Sequence, residues 1–394
     1  MRALTVAIGG FPVHAVQLPM NPRTSSASAA RATRRRPVGA LLALLLGLHA
    51  TLAFAAAPAG APLDAWGSEK EDAGWTFYFD NDSLTPVQRD EDYTGGVAIT
   101  LAGRRAQHAW VSIDTPLGLI DSFFLPSTVG TEFQLHSLQA GALAFTPGNI
   151  KDAAVRDGDR PYASLLYIAN GRSYIGDGNG AVYHTSLSIG LLGTRIVPEF
   201  QDDFHSLIGA NKPRGWHHQI SNDGEPTFRY TLTRQDLQRA GLAFGATHYE
   251  VKSAIAVSLG YLTEGSAALS WRWGRITTPW WAGPPDRVEY IAEPAPATGS
   301  ARETGVRELY VWGGIKAHAR LYNTFLQGQF RDSDLEYGYH DVRPLIGEAW
   351  LGVTAQIVDG YRLSWVMRYQ TSELRPEPGD RSLVWGGLVL SHEL

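Results

Sequence analysis

The chain has 394 residues, no cysteine and a formal net charge of −5 at pH 7. Its first 57 residues hold six arginines and no acid, so the remainder carries −11, which argues against nucleic acid as a partner and suits an exported protein. Without disulfides, such a chain draws its stability from burial or from closure of a sheet on itself.

Arg2, Arg23, Arg31 and the run Arg34-Arg35-Arg36 precede an apolar stretch from Val38 to Phe54, which predicts a cleaved secretory leader over residues 1–57. Ala53-Phe54-Ala55 and Ala57-Pro58-Ala59 supply small-residue cleavage signals, placing the mature start between Ala56 and Gly60. Met20 would give a leader of more usual length. Residues 58–394 are expected to form one domain. No later apolar stretch approaches the ~20 residues of a membrane-spanning helix, yet 12 Trp, 16 Tyr, 14 Phe and 42 Gly recur inside strand-like segments. Outer-membrane barrels need that composition, for aromatic girdles and uncrowded lumens.

Strand candidates with period two begin at Trp75–Phe79 and Thr94–Leu101, then 132–146, 163–173, 182–192, 242–249, 253–262 and 267–275. The C-terminal third adds 308–317, 321–330, 349–357, 361–371 and 382–391. In the segment from Tyr361 to Tyr369, the residues Tyr361, Leu363, Trp365, Met367 and Tyr369 share one face, and Arg362, Ser364 and Arg368 the other. The fold class expected is all-β: a transmembrane antiparallel β-barrel of about 12 strands with short helices in its loops. A final aromatic residue is usual in such barrels, and Leu394 departs from it. Between Pro198 and Ala210, Phe200, Phe204, Leu207 and Ile208 predict an amphipathic helix, with Gln201 and His205 on an adjacent stripe. Residues 277–303, with Trp280-Trp281 and a Pro/Ala/Gly/Ser tract, read as a long mobile surface loop.

Four polar clusters carry the candidate chemistry: Asp80-Asn81-Asp82, Asp92-Tyr93-Thr94-Gly95-Gly96, Asp159-Arg160-Pro161-Tyr162, and Gln201 through His205 to Gly215-Trp216. His205 is the candidate general base, since imidazole titrates near neutral pH and a helix would hold it rigidly. His217 and His218 point apart in an extended segment and do not form a paired metal site. Asp80-Asn81-Asp82 offers oxygens to a hard cation, although it lacks the glycine and distal glutamate of a calcium loop. Thr94 and Ser164 are candidate hydrogen-bonding hydroxyls. There is no Gly-x-Ser-x-Gly elbow, no His-Glu-x-x-His and no phosphate-binding glycine loop. Water activated by a histidine, with a cation stabilising the oxyanion, is the hydrolytic scheme left.

Together these clusters, with Phe145-Thr146-Pro147, Gln219, Glu225-Pro226 and the stretch Tyr322-Asn323-Thr324-Phe325-Leu326-Gln327-Gly328, resemble the outer-membrane lipid A 3′-O-deacylases of Gram-negative bacteria over nearly the whole mature chain, Phe79 to Ser391. The resemblance implies a twelve-stranded, Ca²⁺-dependent barrel in the outer membrane that removes the 3′-linked acyloxyacyl chain of lipid A. On that analogy His205 is the base, Asn81 and Asp82 stand at the ion, Thr94 is a further essential polar residue and Gln201 shapes the pocket. Arg160, Tyr162, Lys212 and Arg214 are expected at the substrate. The expected partners are lipopolysaccharide and the bilayer, with the barrel a monomer. Ser164, His217, Gln327 and the longer turn Asn222-Asp223-Gly224-Glu225 depart from the family pattern around the cleft. Two other readings stand beside this one: an outer-membrane phospholipase, and an inert barrel or narrow pore.

Overall fold

The structure, a computed structural model, describes residues 68–85, 92–127, 129, 133–176, 180–208, 212–244, 247–282 and 307–394; the expected leader and the expected start of the mature chain lie outside them. Twelve antiparallel strands form a closed barrel: β1 Gly74–Asn81, β2 Asp92–Ala102, β3 Phe133–Thr146, β4 Ala163–Ile175, β5 Ala181–Leu192, β6 Glu225–Leu242, β7 His248–Gly260, β8 Leu262–Arg275, β9 Leu309–Asn323, β10 Leu345–Val358, β11 Tyr361–Gln370 and β12 Leu383–Glu393. Each pairs with its sequence neighbours, and β1 closes on β12 from Gly74 opposite Glu393 to Asn81 opposite Gly386. Closure leaves no sheet edge bare.

Alternation decides which side each residue faces. On β11, Leu363 and Tyr369 are exposed while Arg362, Ser364 and Arg368 are buried, as the dyad predicted. Phe77, Ile99, Ile189, Leu191, Phe228, Leu269, Trp271, Ile315 and Leu351 continue the exposed apolar belt around the barrel. Such a belt belongs against lipid. No helix among the described residues is long and apolar enough to cross a membrane.

The interior is filled. At one end Tyr78, Tyr93, Phe145, Tyr167, Tyr261, Phe325 and Trp385 form an aromatic core. Charged residues lie among the strands beside it. Glu264 meets Arg320 at 2.8 Å and His318 at 3.2 Å, His318 meets Glu348 at 3.3 Å, and Glu348 meets Arg368 at 3.2 Å. At the other end Trp281 packs with Ala73, Ala102, Leu135, Ile175 and Val182. That end carries both β1's start and β12's finish, and only five residues of sequence separate β4 from β5 and β6 from β7, and two separate β10 from β11, which marks it as periplasmic.

Several elements differ from expectation. β6 had no strand candidate of its own: its inward residues Thr227, Arg229, Thr231, Thr233 and Gln235 are polar, and its outward Arg234 and Asp236 are polar too, so the hydrophobic alternation is lost. The 242–249 candidate touches only the end of β6 and the start of β7; the 308–317 candidate lies in β9, whereas the 321–330 candidate keeps only Leu321–Asn323 in β9 and continues as a short helix, Thr324–Gln327. Residues 105–124, to which no element was assigned, form α1 (Arg105–His108) and α2 (Asp114–Phe124). The expected mobile loop begins instead with an ordered 3-10 turn, Trp280–Ala282, whose Trp281 is buried; residues 283–306 lie outside the description.

Candidate active site

The site starts at the β1–β2 corner. Asn81 ends β1 on its outward side. Its Nδ2 donates to Thr94 O at 2.7 Å, while its Oδ1 accepts from Ser83 N at 2.9 Å and from Ser83 Oγ, capping the 3-10 turn Asp82–Leu84. Asp82 is buried at the head of that turn. Opposite Asn81 stands Gly95, where a Cβ would lie 2.7 Å from Asp80 O; only glycine permits this approach.

The Asp92-Tyr93-Thr94-Gly95-Gly96 motif divides its work by residue. Asp92, at φ 71°, takes both Arg381 donors at 2.8 and 2.9 Å. Tyr93 points inward, edge-on to Trp385. A bulge between Tyr93 and Gly95 displaces Thr94, whose Oγ1 lies 2.6 Å from Thr146 Oγ1.

The helix α3 (Ile196–Ile208) confirms the predicted element and reverses its expected packing. Val197, Gln201 and His205, spaced i, i+4 and i+8, are buried, whereas Phe200 is 61% exposed. The side chains of Phe204, Leu207 and Ile208 lie outside the description. Val197 packs with Ala144, Tyr162 and Trp216. Ala144 and Thr146 occupy the face of β3 opposite Leu143 and Phe145, which belong to the interior core. The helix therefore lies on the outer wall of the barrel. Asn81, Thr94, Gln201 and His205 belong to that wall at its extracellular end.

Trp216 fixes Gln201. The two rings of Trp216 and Tyr162 are 4.9 Å apart, and Gly215 lets Tyr162 in, since a Cβ there would sit 2.5 Å from the Tyr162 ring. Trp216 Nε1 then donates to Gln201 Oε1 at 3.0 Å. The amide is thereby oriented, and its buried Nε2 has no hydrogen-bond partner among the described residues. A buried N–H without an acceptor costs about 1–3 kcal/mol unless a ligand supplies one.

Of the expected substrate residues, Arg160 is a correction. Only 2% exposed, its guanidinium pairs with Glu373, meets Asp92 at 3.4 Å and lies over the Phe145 ring, so it braces the loops instead of reaching lipid phosphate. Tyr162 is likewise a buried seat for Trp216, its hydroxyl donating to Ile150 O at 3.3 Å. Lys212 and Arg214 are exposed, and Arg214 N donates to Ile150 O at 2.9 Å, which joins the two loops. Arg381 bridges Asp92 to Asp159, 2.7 Å away. Burial pulls its guanidinium down, but the two carboxylates outweigh burial and raise it. Tyr337 donates to Asp159 O at 2.5 Å; burial, then the Asp159 carboxylate, pushes this phenol up to about 12.

A Ca²⁺ ion takes six to eight oxygens. Asn81 does not fit the ligand role expected of its side chain, because both Oδ1 lone pairs accept from Ser83. Asp82, a buried carboxylate at the head of the 3-10 turn, is the donor type that a hard cation takes. No group of three His, Cys, Asp or Glu among the described residues forms a metal cluster, so further ligands would be carbonyls, hydroxyls or water.

Residues 41–394 match the family described as outer membrane protein LpxR. The chain belongs to the LpxR family. It is an outer-membrane barrel, and LpxR from Salmonella typhimurium shares its fold with a TM-score of 0.62 at 15% identity, covering 82% of this chain and 100% of that one. The β-domain of the Bordetella autotransporter BrkA aligns at a TM-score of 0.38 and 10% identity over 82% of this chain and 99% of its own. The P. putida toluene transporter TodX aligns at 0.27 and 9% over 86% and 95%. No curated protein matches the sequence.

In this LpxR-family barrel the departures have places. Ser164 Oγ donates to Gln219 Oε1 at 2.8 Å, Gln327 Oε1 accepts from Asn323 N at 2.9 Å, and His217 is exposed. Ser221 and Asp223 adopt left-handed backbone, which accommodates the longer turn before Glu225. Sequence reasoning missed Thr146, Arg381 and Glu373, whose partners are distant in the chain. Only Thr146 carried a signal, its place beside Phe145 in the family stretch.

Proposed function

We propose that this LpxR-family protein is a lipid A 3′-O-deacylase that hydrolyses the 3′-acyloxyacyl ester with water activated by His205. The observation that supports this most is the orientation of the site: its polar residues occupy the outer wall at the extracellular end, where an outer-leaflet lipid can reach them laterally. A soluble substrate would be better served by a site in a wet lumen, and this lumen is packed with side chains.

His205, buried on the wall side of α3, takes a proton from water as the oxygen attacks the ester carbonyl. The carbonyl oxygen gains charge, and the oriented Nε2 of Gln201 donates to it. Collapse of the tetrahedral species breaks the bond to the sugar 3′-oxygen, which recovers the proton from His205 and leaves as the hydroxyl, with the acyloxyacyl chain released as a carboxylic acid. Asn81 and Thr94 hold the β1–β2 corner that presents Asp82. Ca²⁺ at Asp82 would supply Lewis-acid polarisation of the carbonyl and a counter-charge for substrate phosphates. Exposed Lys212 and Arg214 are placed to add phosphate contacts.

The test is mass spectrometry of lipid A incubated with the folded protein in detergent, with Ca²⁺ or chelator, beside His205→Ala. Loss of the 3′-acyloxyacyl mass that needs both Ca²⁺ and His205 is expected. Unchanged lipid A with fatty acid release from liposomes lacking lipopolysaccharide would replace this reading by the phospholipase one.

A further inference from the structure

We propose that α2, with Trp110 ahead of it, is an interfacial helix that lies against the outer wall in the periplasmic half of the membrane and turns its exposed face to phospholipid acyl chains. The helix is built inside out. Its wall-facing side carries Asp114 and Asp121 beside fully buried Leu117, while Trp110 is 95%, Leu119 62% and Phe123 76% exposed. A helix lying in water does the reverse, hiding its apolar stripe and wetting its carboxylates.

The wall supplies what those carboxylates need. Asp114 pairs with Arg172, whose Nε donates at 2.8 Å, and Asp121 accepts from the hydroxyls of Tyr174, Thr185 and Tyr230 at 2.7, 2.8 and 2.9 Å. Asn170 accepts from Ile113 N at 2.8 Å. Arg172 and Tyr174 lie on the β4 face opposite Leu165 and Tyr167 of the interior core, so they point outward. Left bare, this polar patch would meet lipid, where each unpartnered group is costly. With α2 docked, the polar groups satisfy one another and an apolar surface replaces them.

Depth follows from the β5–β6 register. Ile189 pairs with Phe228, both exposed in the lipid-facing belt; Leu187 with Tyr230; Thr185 with Leu232; Tyr183 with Arg234. Arg234 and Asp236 form an exposed ion pair that marks the aqueous edge. Asp121 reaches Tyr230 and Thr185, between those two levels, which span roughly 20 Å of strand. The exposed face of α2 is thus continuous with the belt above it and stops at the charged boundary below. That position and polarity suit a helix seated in the inner-leaflet interface.

The chain has no cysteine, so single-cysteine labelling is clean. Phe123→Cys and, separately, Leu119→Cys would carry an environment-sensitive fluorophore in protein folded into phosphatidylcholine vesicles, with folding checked by heat-modifiable gel migration. Phe228→Cys reports the lipid belt and Asp223→Cys the water. Brominated acyl chains are expected to quench the α2 labels as they quench the Phe228 label, with aqueous iodide leaving them bright. Iodide quenching like that of Asp223, without bromolipid quenching, overturns the proposal. Shielding from both quenchers, with α2 crosslinking between copies, overturns it in favour of a second chain as the occupant.

Discussion

Trp216 Nε1 donates to Gln201 Oε1 at 3.0 Å, and this single bond decides which end of the Gln201 amide faces outward from the pair. An amide free to turn presents carbonyl and NH₂ with equal ease, and only the NH₂ can help an oxyanion. Trp216→Phe keeps the ring against Tyr162 and removes the donor. Deacylation by this variant is expected to fall about tenfold, the value of roughly one hydrogen bond, with KM little changed. Gln201→Leu should cost about 10²–10³ in kcat. Equal rates for wild type and both variants would remove Gln201 from the chemistry.

Gly215→Ala tests the seat beneath that bond. A methyl 2.5 Å from the Tyr162 ring must push Tyr162 or the loop aside, and with it Trp216. The expected outcome is a barrel that still migrates as folded on gels but has lost most of its activity. Wild-type activity would show that the Tyr162–Trp216 contact does not position α3.

Glu373 joins Arg160 to Arg320 in the interior, all three buried. Removing one member of a buried ion pair leaves charge in low dielectric and costs about 3–5 kcal/mol. Glu373→Gln should therefore lower the denaturant midpoint of the folded barrel clearly, measured by tryptophan fluorescence in detergent. Replacing exposed Asp334, whose partner His218 is also near water, should shift it by less than about 1 kcal/mol.

A packed lumen conducts no ions. Planar-bilayer recordings of the folded protein are expected to show no steady channel openings, because the aromatic core closes the extracellular end and Trp281 packs into the periplasmic end. Regular unitary currents would revive the narrow-pore reading.

The Tyr337 bond to Asp159 sets an alkaline limit on the loop it holds. A phenol raised in the fold to about 12 stabilises the folded form below its ordinary value near 10, and that contribution disappears as pH rises through 12. Limited proteolysis of the 324–344 loop should accelerate between those values, and Tyr337→Phe should abolish that step while digesting faster at neutral pH.

Strand alternation made the barrel legible where one face is apolar and the other polar, as from Tyr361 to Tyr369. It failed on β6, because that strand runs past the lipid belt to an exposed ion pair, Arg234 with Asp236, so its outward face turns polar like its inward one. α2 escaped notice because Pro116 and Gly118 weaken its propensity and its polar face is the buried one. In the site, the i, i+4 spacing of Gln201 and His205 was readable from a single helix. The place of Arg160 was not, since Glu373 stands 213 residues further on and nothing local separates a cation that meets lipid from one that braces loops.

The seam between β1 and β12 ties assembly to the whole length of the chain. β1 emerges first and waits for a partner that is made last, so until Glu393 can pair with Gly74 both flanks of the incipient cylinder are open. A nascent copy therefore has no half-built resting form with its strands satisfied. With no cysteine in the chain, covalent cross-links cannot hold partial structures together, and the ladder of backbone hydrogen bonds is complete only once the last strand is in place.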